Sequence, residues 1–392
     1  MRVLHVIRGI DPESGGPPIV AASLAAGQVH IGHDAGLLYW GSDPTHRGPM
    51  DEPLGKDIVG FDRIDHVRLP PAGLVEKLTG RAAAAAAEAY IARHRPDVIH
   101  LHNVWESLLA SVAKVARRHR IPYLLTPHGM LDPWSMQQKA LKKKVALALS
   151  TRRMLEGAAA LHALNADEAR GLEPLRLSTN VVRLPNGVWP QQLVPPPDAP
   201  RLAEKIPVLG AQPFVLFLSR LHHKKGLDHL AAAFEIVAAD RPDVQLVVAG
   251  PDGGGRDELM QAIATSKFGN RVHVVGPLYG AAKFAAIVDA AVYCLPSRQE
   301  GFPLAVLEAL GCGTAVVISE QCNVPEVADV DAGRVVKLDA TSIAAALGEL
   351  LDDADLRERM GLAGKRLVAE RFSWPRVAEQ SIDVYQGLLG SA

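Results

Sequence analysis

Residues 297–314 read SRQEGFPLAVLEALGCGT. Two glutamates, Glu300 and Glu308, stand on either side of a Gly-Phe-Pro break in a stretch otherwise as apolar as buried core. A carboxylate leaves water at a high cost unless it is hydrogen-bonded or meets an opposing charge. Either both residues point to solvent or both hold something. The run AVYCLP (291–296) reads as a strand, SRQEGF as a loop, and Pro303 suits the first turn of a helix that runs LAVLEALG and stops near Gly311. The opening amides of that helix, around Gly301, Phe302, Pro303 and Leu304, form a ready anion site. Glu300 lies at its mouth and Glu308 more than a turn inside. Carboxylates accept hydrogen bonds from the neighbouring hydroxyls of sugars and riboses, so the pattern fits a ligand with a polyol at each end and a phosphate between. The alternative is a solvated Glu300 and a Glu308 on a polar helix face.

The same strand–loop–helix alternation runs through the chain, which marks an α/β fold around parallel sheets. Strands are expected at 2–7, 36–40, 97–103, 123–129 and 181–187, then at 214–220, 244–250, 272–277, 291–296 and 315–319. Helices are expected at 17–31, 81–94, 106–119, 139–157, 227–239 and 303–311, with a closing amphipathic helix at 376–390. Between the two series lies 185–213, whose first sixteen residues include six prolines; proline continues neither a helix interior nor a central strand. This linker predicts two doubly wound domains, 1–190 and 191–375, with 376–392 as a terminal helix. A chain of 392 residues suits two cores better than one. Doubly wound sheets bind ligands at the carboxyl ends of their strands.

Three further clusters fall at such ends. In LSRLHHKKGLDHL (218–230), Arg220 and Lys225 follow a strand; two cations there would neutralise a diphosphate in the ground state and as it leaves, and the alternative is a solvated basic loop. Asp228 is a candidate cap for the next helix. In ESGGPPIV (13–20), Gly15 and Gly16 precede a helix opened by Pro17 and Pro18, so the backbone approaches a ligand closely. This is not the GxGxxG fingerprint. In TPHGMLDPW (126–134), His128 ends a strand beside Gly129. His100 and His102 of IHLHN share one strand face; with no third ligand in view, packing is the expected role and no metal is assigned.

The net charge of −1 hides a split, +5 over residues 1–190 and −6 over the rest. Ten basic residues crowd 110–156, which suggests an anionic partner such as a phosphate or a lipid surface, or a solvated helix face. Cys294, Cys312 and Cys322 form no CxxC pair, so neither a disulfide framework nor a zinc site is expected, and a reducing compartment fits. The N-terminus lacks the pattern of a signal peptide, and no apolar run reaches the ~18 residues of a membrane span. A cytoplasmic protein, at most peripheral to the membrane, is expected, with no nucleic-acid partner.

Taken in order, the diglycine loop, TPHG, NG at 186–187, SRLHHKKG, VVAGPDGGG, VHVVGPL, EGFPLAVLE and the closing RFSWPRVAEQ resemble the retaining GT-B glycosyltransferases of family 4, the group-1 glycosyl transferases. Glu300 to Glu308 reproduces that family's E-x7-E motif, and Arg220 with Lys225 its diphosphate-binding pair. The resemblance implies two Rossmann-like domains facing a central cleft and a UDP- or GDP-linked hexose as donor. Glu308 would hold the ribose, and Glu300 the sugar hydroxyls. Gly301, Phe302, Pro303 and Leu304 would support the sugar and diphosphate. Arg220 and Lys225 would stabilise the leaving group without a metal or other cofactor. Gly276 and Leu278 would lie near the base. Gly15 and Gly16 would approach the phosphates or acceptor, and His128 the donor sugar. Some relatives have His-Asp where this chain has His128-Gly129, so a side-chain role at the second position is absent. The segment 129–168 resembles bacterial members that build surface polysaccharide, often on lipid-linked acceptors, which would bring basic residues 139–153 to the membrane surface. A GT-B-like nucleotide-sugar epimerase and a two-domain sugar-binding protein are the competing readings.

Overall fold

The computed structural model describes residues 1–11, 15–45, 48, 50, 52, 54–56, 58–137, 141, 143, 146, 147 and 151–390. The chain divides into two compact units: Met1–Gly187 with Trp374–Ala392, and Val188–Ser373. The boundaries fall slightly before the expected 190/191 and 375/376. Val188 donates its amide to the Phe372 carbonyl at 2.8 Å and bridges to Ser373, which ties the second unit's start to its end.

The first unit carries seven parallel strands in the order β3-β2-β1-β4-β5-β6-β7. These are β1 Arg2–Val6, β2 Asp34–Trp40, β3 Asp65–Leu69, β4 Val98–His102, β5 Tyr123–Thr126, β6 Ala160–Ala163 and β7 Val181–Arg183. The second unit carries six, in the order β10-β9-β8-β11-β12-β13. They are β8 Phe214–Leu218, β9 Gln245–Ala249, β10 Val272–Gly276, β11 Val292–Leu295, β12 Val316–Ser319 and β13 Gly333–Val336. In each sheet the winding direction reverses beside the first strand of the unit, at β1/β4 and at β8/β11, the position where doubly wound sheets bind ligands. The loops after β8 and β11 contain the SRLHHKKG and SRQEGFP segments.

Central strands are buried on both faces, so they read as unbroken apolar runs; all of Val292, Tyr293, Cys294 and Leu295 are buried. Three strands escape the sequence reading. β3 alternates polar with apolar residues, β6 is alanine-rich, and β13 opens on Gly333, a residue that usually weakens a strand. That glycine is required: a Cβ there would lie 2.3 Å from the Val316 carbonyl oxygen.

The closing helix, Trp374–Gly390, buries Trp374, Val377, Ala378, Ser381, Ile382 and Tyr385. It packs on the helix Gly16–His30 at Gly27, where an added Cβ would meet the Trp374 carbonyl oxygen at 3.0 Å. The basic stretch 139–153 lies largely outside the described residues. Within it, Lys143 donates to the Ser135 carbonyl at 2.6 Å and Arg152 pairs with Glu156 at 2.9 Å, so these two charges are turned to near neighbours. No described helix is long and apolar enough to cross a membrane. The three cysteines are buried and unbridged, and burial pushes the thiols of Cys312 and Cys322 up to about 12.

Candidate functional site

In the second unit two loops close on each other at the switch point. After β8 the chain turns through His222, whose ring accepts from the Lys224 amide at 3.1 Å, and reaches Gly226 with φ +68. An alanine Cβ at Gly226 would sit 1.8 Å from the Pro296 carbonyl oxygen, so only glycine lets this loop meet the end of β11. The second loop grips back: the Arg298 amide donates to the Lys224 carbonyl at 2.7 Å, and its guanidinium binds both Asp228 oxygens at 2.7 and 2.5 Å. Asp228 was expected to cap the helix Leu227–Asp240; instead it lies in the first turn, and Arg298 holds its carboxyl down at about 2. Gly226 occupies the cap position.

The two carboxylates of the opening stretch are both salt-bridged. Glu300 Oε1 accepts from Lys225 Nζ at 2.5 Å and from the Ser297 hydroxyl at 2.6 Å. Glu308 Oε1 accepts from Lys283 Nζ at 2.6 Å, a lysine of the helix Gly280–Asp289. The side chains are 9% and 21% exposed in the first pair, and 16% and 21% in the second. Shielded to that degree, each pair is stronger than a surface ion pair and costly to break by removing one partner. The solvated alternative for Glu300 and Glu308 is therefore excluded.

Glu308 lies within the helix Leu304–Cys312, whose first turn separates it from Glu300. Pro303, expected inside its first turn, is its N-cap with φ −76 and ψ 111, and the helix ends at Cys312 on a left-handed Gly313 rather than near Gly311. Phe302 and Pro303 are buried, while Gly301 and Leu304 are half-buried. The amides of Leu304 and Ala305 precede that of Val306, the first to donate within the helix, to the Pro303 carbonyl at 3.1 Å, as at any helix start. Arg220 is exposed past β8 and lies over Gly253, where a Cβ would be 2.8 Å from its Cγ and Cδ. Gly276 ends β10 at φ +76 with open space where a Cβ would be, and Leu278 follows half-buried.

In the first unit Gly15, at φ 89, caps the helix Gly16–His30, and Gly16 is exposed with no atom within 4 Å of a built Cβ. His128 follows β5 in the left-handed region, φ 52, and so does Gly129, φ 71. The turn is held by Glu168, which accepts from the Gly129 amide at 2.6 Å and from the Leu164 amide at 2.7 Å while burial pushes its carboxyl up. His128 is half-buried; its Nε2 lies 3.2 Å from Nδ1 of His102, and burial lowers its ring to about 3. His100 and His102 do have a third neighbour: His5 of β1, in register with His100, so that one nitrogen of each lies within 4.8 Å of the others. Hydrogen bonds account for these nitrogens, as shown below.

Sequence reading missed Lys283, Ser297, Arg298 and Glu168. Lys283 sits 25 positions from its partner, and nothing in spacing pairs them. His5 had a signal, a lone histidine in the apolar strand beside IHLHN.

Residues 198–367 match the family of Glycosyl transferases group 1, and residues 15–187 match the Glycosyl transferase 4-like domain. The chain is 33% identical over 318 residues to the alpha-maltose-1-phosphate synthase of Mycolicibacterium smegmatis, covering 74% of this chain and 78% of that protein. It is 35% identical over 230 residues to the phosphatidyl-myo-inositol mannosyltransferase of the same organism, covering 57% and 56%. The fold superposes on HepE of Anabaena in complex with UDP and glucose with a TM-score of 0.75 at 18% identity, over 99% of this chain and 100% of that one. Two parallel α/β units, a paired-glutamate loop and family matches along both halves agree: the chain belongs to the group-1 glycosyl transferases and is a GT-B glycosyltransferase of the family 4 type.

Proposed function

We propose that this glycosyltransferase moves a hexosyl group from a UDP- or GDP-linked sugar, with retention, to a glycan or lipid-linked acceptor in surface-polysaccharide synthesis. It would work in the cytoplasm, at the inner membrane face when the acceptor is lipid-linked. The observation that carries the reading is the pair of part-buried ion pairs, Lys225–Glu300 and Lys283–Glu308, bracketing one helix N-terminus. Each pair is poised for exchange: a phosphate draws the ammonium, and the released carboxylate accepts two hydroxyls. Glu300 would then hold the sugar and Glu308 the ribose. Gly301, Phe302, Pro303 and Leu304 would line the path between, and Gly276 and Leu278 would meet the base. The HepE structure, which holds UDP and glucose, supports this class of donor.

On this reading Arg220, Lys225 and the helix amides stabilise the charge that develops on the leaving diphosphate, the work a metal ion does in other transferases. The bond from the anomeric carbon to the phosphate oxygen breaks as one to the acceptor oxygen forms on the same face. The acceptor's proton passes to the departing phosphate oxygen. Glu300, released by Lys225 and held by the Ser297 hydroxyl, orients the sugar rather than attacking it. Gly15, Gly16 and His128 of the first unit are assigned to phosphate, acceptor and sugar contacts.

A transfer assay over UDP- and GDP-hexoses, with the product's anomeric configuration read by NMR, tests the proposal. Transfer with retained configuration is expected, and transfer should be lost in Glu300→Ala and Lys225→Ala proteins that stay folded. Near-normal turnover in both variants refutes the site. Epimerised donor formed without an acceptor would point to an epimerase.

A further inference from the structure

Five histidines of the first unit form a continuous hydrogen-bonded chain, and its direction is fixed from one end. His162 Nε2 lies 2.8 Å from the Leu184 carbonyl oxygen, which only accepts, so this ring carries its proton on Nε2. In a neutral ring Nδ1 is then the acceptor, and the Thr126 hydroxyl donates to it at 2.8 Å. Thr126 Oγ1 in turn accepts from His100 Nε2 at 2.7 Å, and the Tyr385 hydroxyl donates to His100 Nδ1 at 2.7 Å. With its proton committed, Tyr385 accepts from Gln28 Nε2 at 3.4 Å; the same amide donates to the Ser381 hydroxyl oxygen at 3.0 Å, whose proton goes to the Ala378 carbonyl. The Gln28 amide therefore has one orientation, and its Oε1 accepts from His5 Nε2 at 2.9 Å. His5 Nδ1 accepts from His102 Nε2 at 3.1 Å, and His102 Nδ1 accepts from His128 Nε2 at 3.2 Å.

We infer that this chain is a tautomer lock: it compels His128 to carry its proton on Nε2 and to present Nδ1 as a bare acceptor, the atom that takes a hydrogen bond from a hydroxyl of the bound sugar. The second clause rests on the proposed function; the first does not. His102, His5, Gln28 and Tyr385 are thus positioning residues, acting through His128. Burial supports the neutral state along the chain, lowering His5 and His162 to about 4 and His100 and His102 well below their ordinary value. Among the described residues no hydrogen-bond partner meets His128 Nδ1. The three-histidine cluster His5, His100 and His102 would be a metal-site candidate by distance alone. Every nitrogen in it already has a proton donor or acceptor, which favours the lock. The closing helix supplies Tyr385 and Ser381, so the last helix of the chain takes part in setting the proton position of His128, far away in sequence.

The test is long-range proton–nitrogen correlation NMR on the full chain with 15N-labelled histidine at pH 7. All five rings should show the neutral Nε2–H pattern, with His128 Nδ1 unprotonated; a proton on Nδ1 of His128 or His102, or a cationic ring, overturns the lock whether or not the protein transfers sugar. Gln28→Leu removes the acceptor beyond His5. His5, His102 and His128 should then lose their single tautomer while His100 and His162, anchored on Leu184, keep theirs. The variant's kcat/KM for the donor should fall about tenfold, the scale of one lost hydrogen bond. Unchanged tautomers in that variant would reduce the chain to packing. Altered tautomers with unchanged kcat/KM would remove the sugar contact and leave the lock standing.

Discussion

The two units place polar groups at the ends of buried parallel strands by opposite means. The second uses full charges in pairs, Lys225 with Glu300, Lys283 with Glu308, and Arg298 with Asp228. The first uses neutral rings in series, His128, His102, His5, His100 and His162, joined through Gln28, Tyr385 and Thr126. A paired charge holds its place until a ligand offers a better partner, so it suits the binding and release of an anion. A neutral directed chain cannot exchange partners without reversing its whole length, so it suits the fixed presentation of one lone pair. Part-buried ion pairs and buried neutral networks also fail differently, which makes the contrast measurable.

The largest expected difference is in acid. Burial lowers all five rings of the chain below their ordinary value, so each binds fewer protons folded than unfolded. Stability from these rings is complete above the unfolded value of about 6.5 and is lost as pH falls towards the folded values, at up to about 1.4 kcal/mol per ring per pH unit. Glu168 and Glu106, both shifted upward by burial, oppose this. The second unit's His222 and His273 move in the same direction as the five, but they lie in less buried settings. Hydrogen exchange resolved by segment, between pH 7 and 4.5, should show β1, β4 and β5 losing protection before β8 and β11. Equal loss in both sheets would break the contrast.

Next in size is the cationic side of the second unit. Lys225→Ala strips Glu300 of its ammonium and should lower the rate of transfer by roughly 10²–10³-fold, the scale for removing one donor to developing charge. Adding Glu300→Ala should lower it further, because once the donor parts the pair the two residues hold different groups; single-turnover rates with a fixed donor make the comparison. Gly226→Ala comes third. It forces a side chain into a left-handed turn against the Pro296 carbonyl, a strain of about 1–3 kcal/mol before any repacking, read as a fall in the urea midpoint. Unchanged stability would mean that the two loops are not locked together. Smallest is Asp228→Asn. The Asp228 carboxyl is held at about 2, so its contribution is intact above its unfolded value near 4 and lost as pH falls through 2. At its half-exposed position this amounts to no more than about 1 kcal/mol, visible as a flatter acid limb of unfolding.

Most central strands were legible because a strand covered on both faces is an apolar run bounded by turn residues. β8, β9, β11 and β12 lie within two residues of their expected ends. The strands that hid are ones whose residues answer to neighbours rather than to periodicity, as Gly333 answers to Val316. At the candidate site the two glutamates were visible as charges out of place, while their lysine partners depended on sheet order, which brings residues 75 and 25 positions apart together. The histidine chain was half legible: His100 and His102 showed a shared face, but the acceptor that fixes its direction, the Leu184 carbonyl, leaves no trace in a sequence.

The central claim, that the carboxylate–lysine pairs of the second unit hold a nucleoside diphosphate, is tested most directly by thermal shift with UDP, GDP and ADP on the wild-type protein and Lys225→Ala. One nucleotide should stabilise the wild type by roughly 2.7 kcal/mol at a hundred times its dissociation constant, and most of that gain should vanish in the variant. No stabilisation by any of the three, or equal stabilisation of both proteins, would contradict the account.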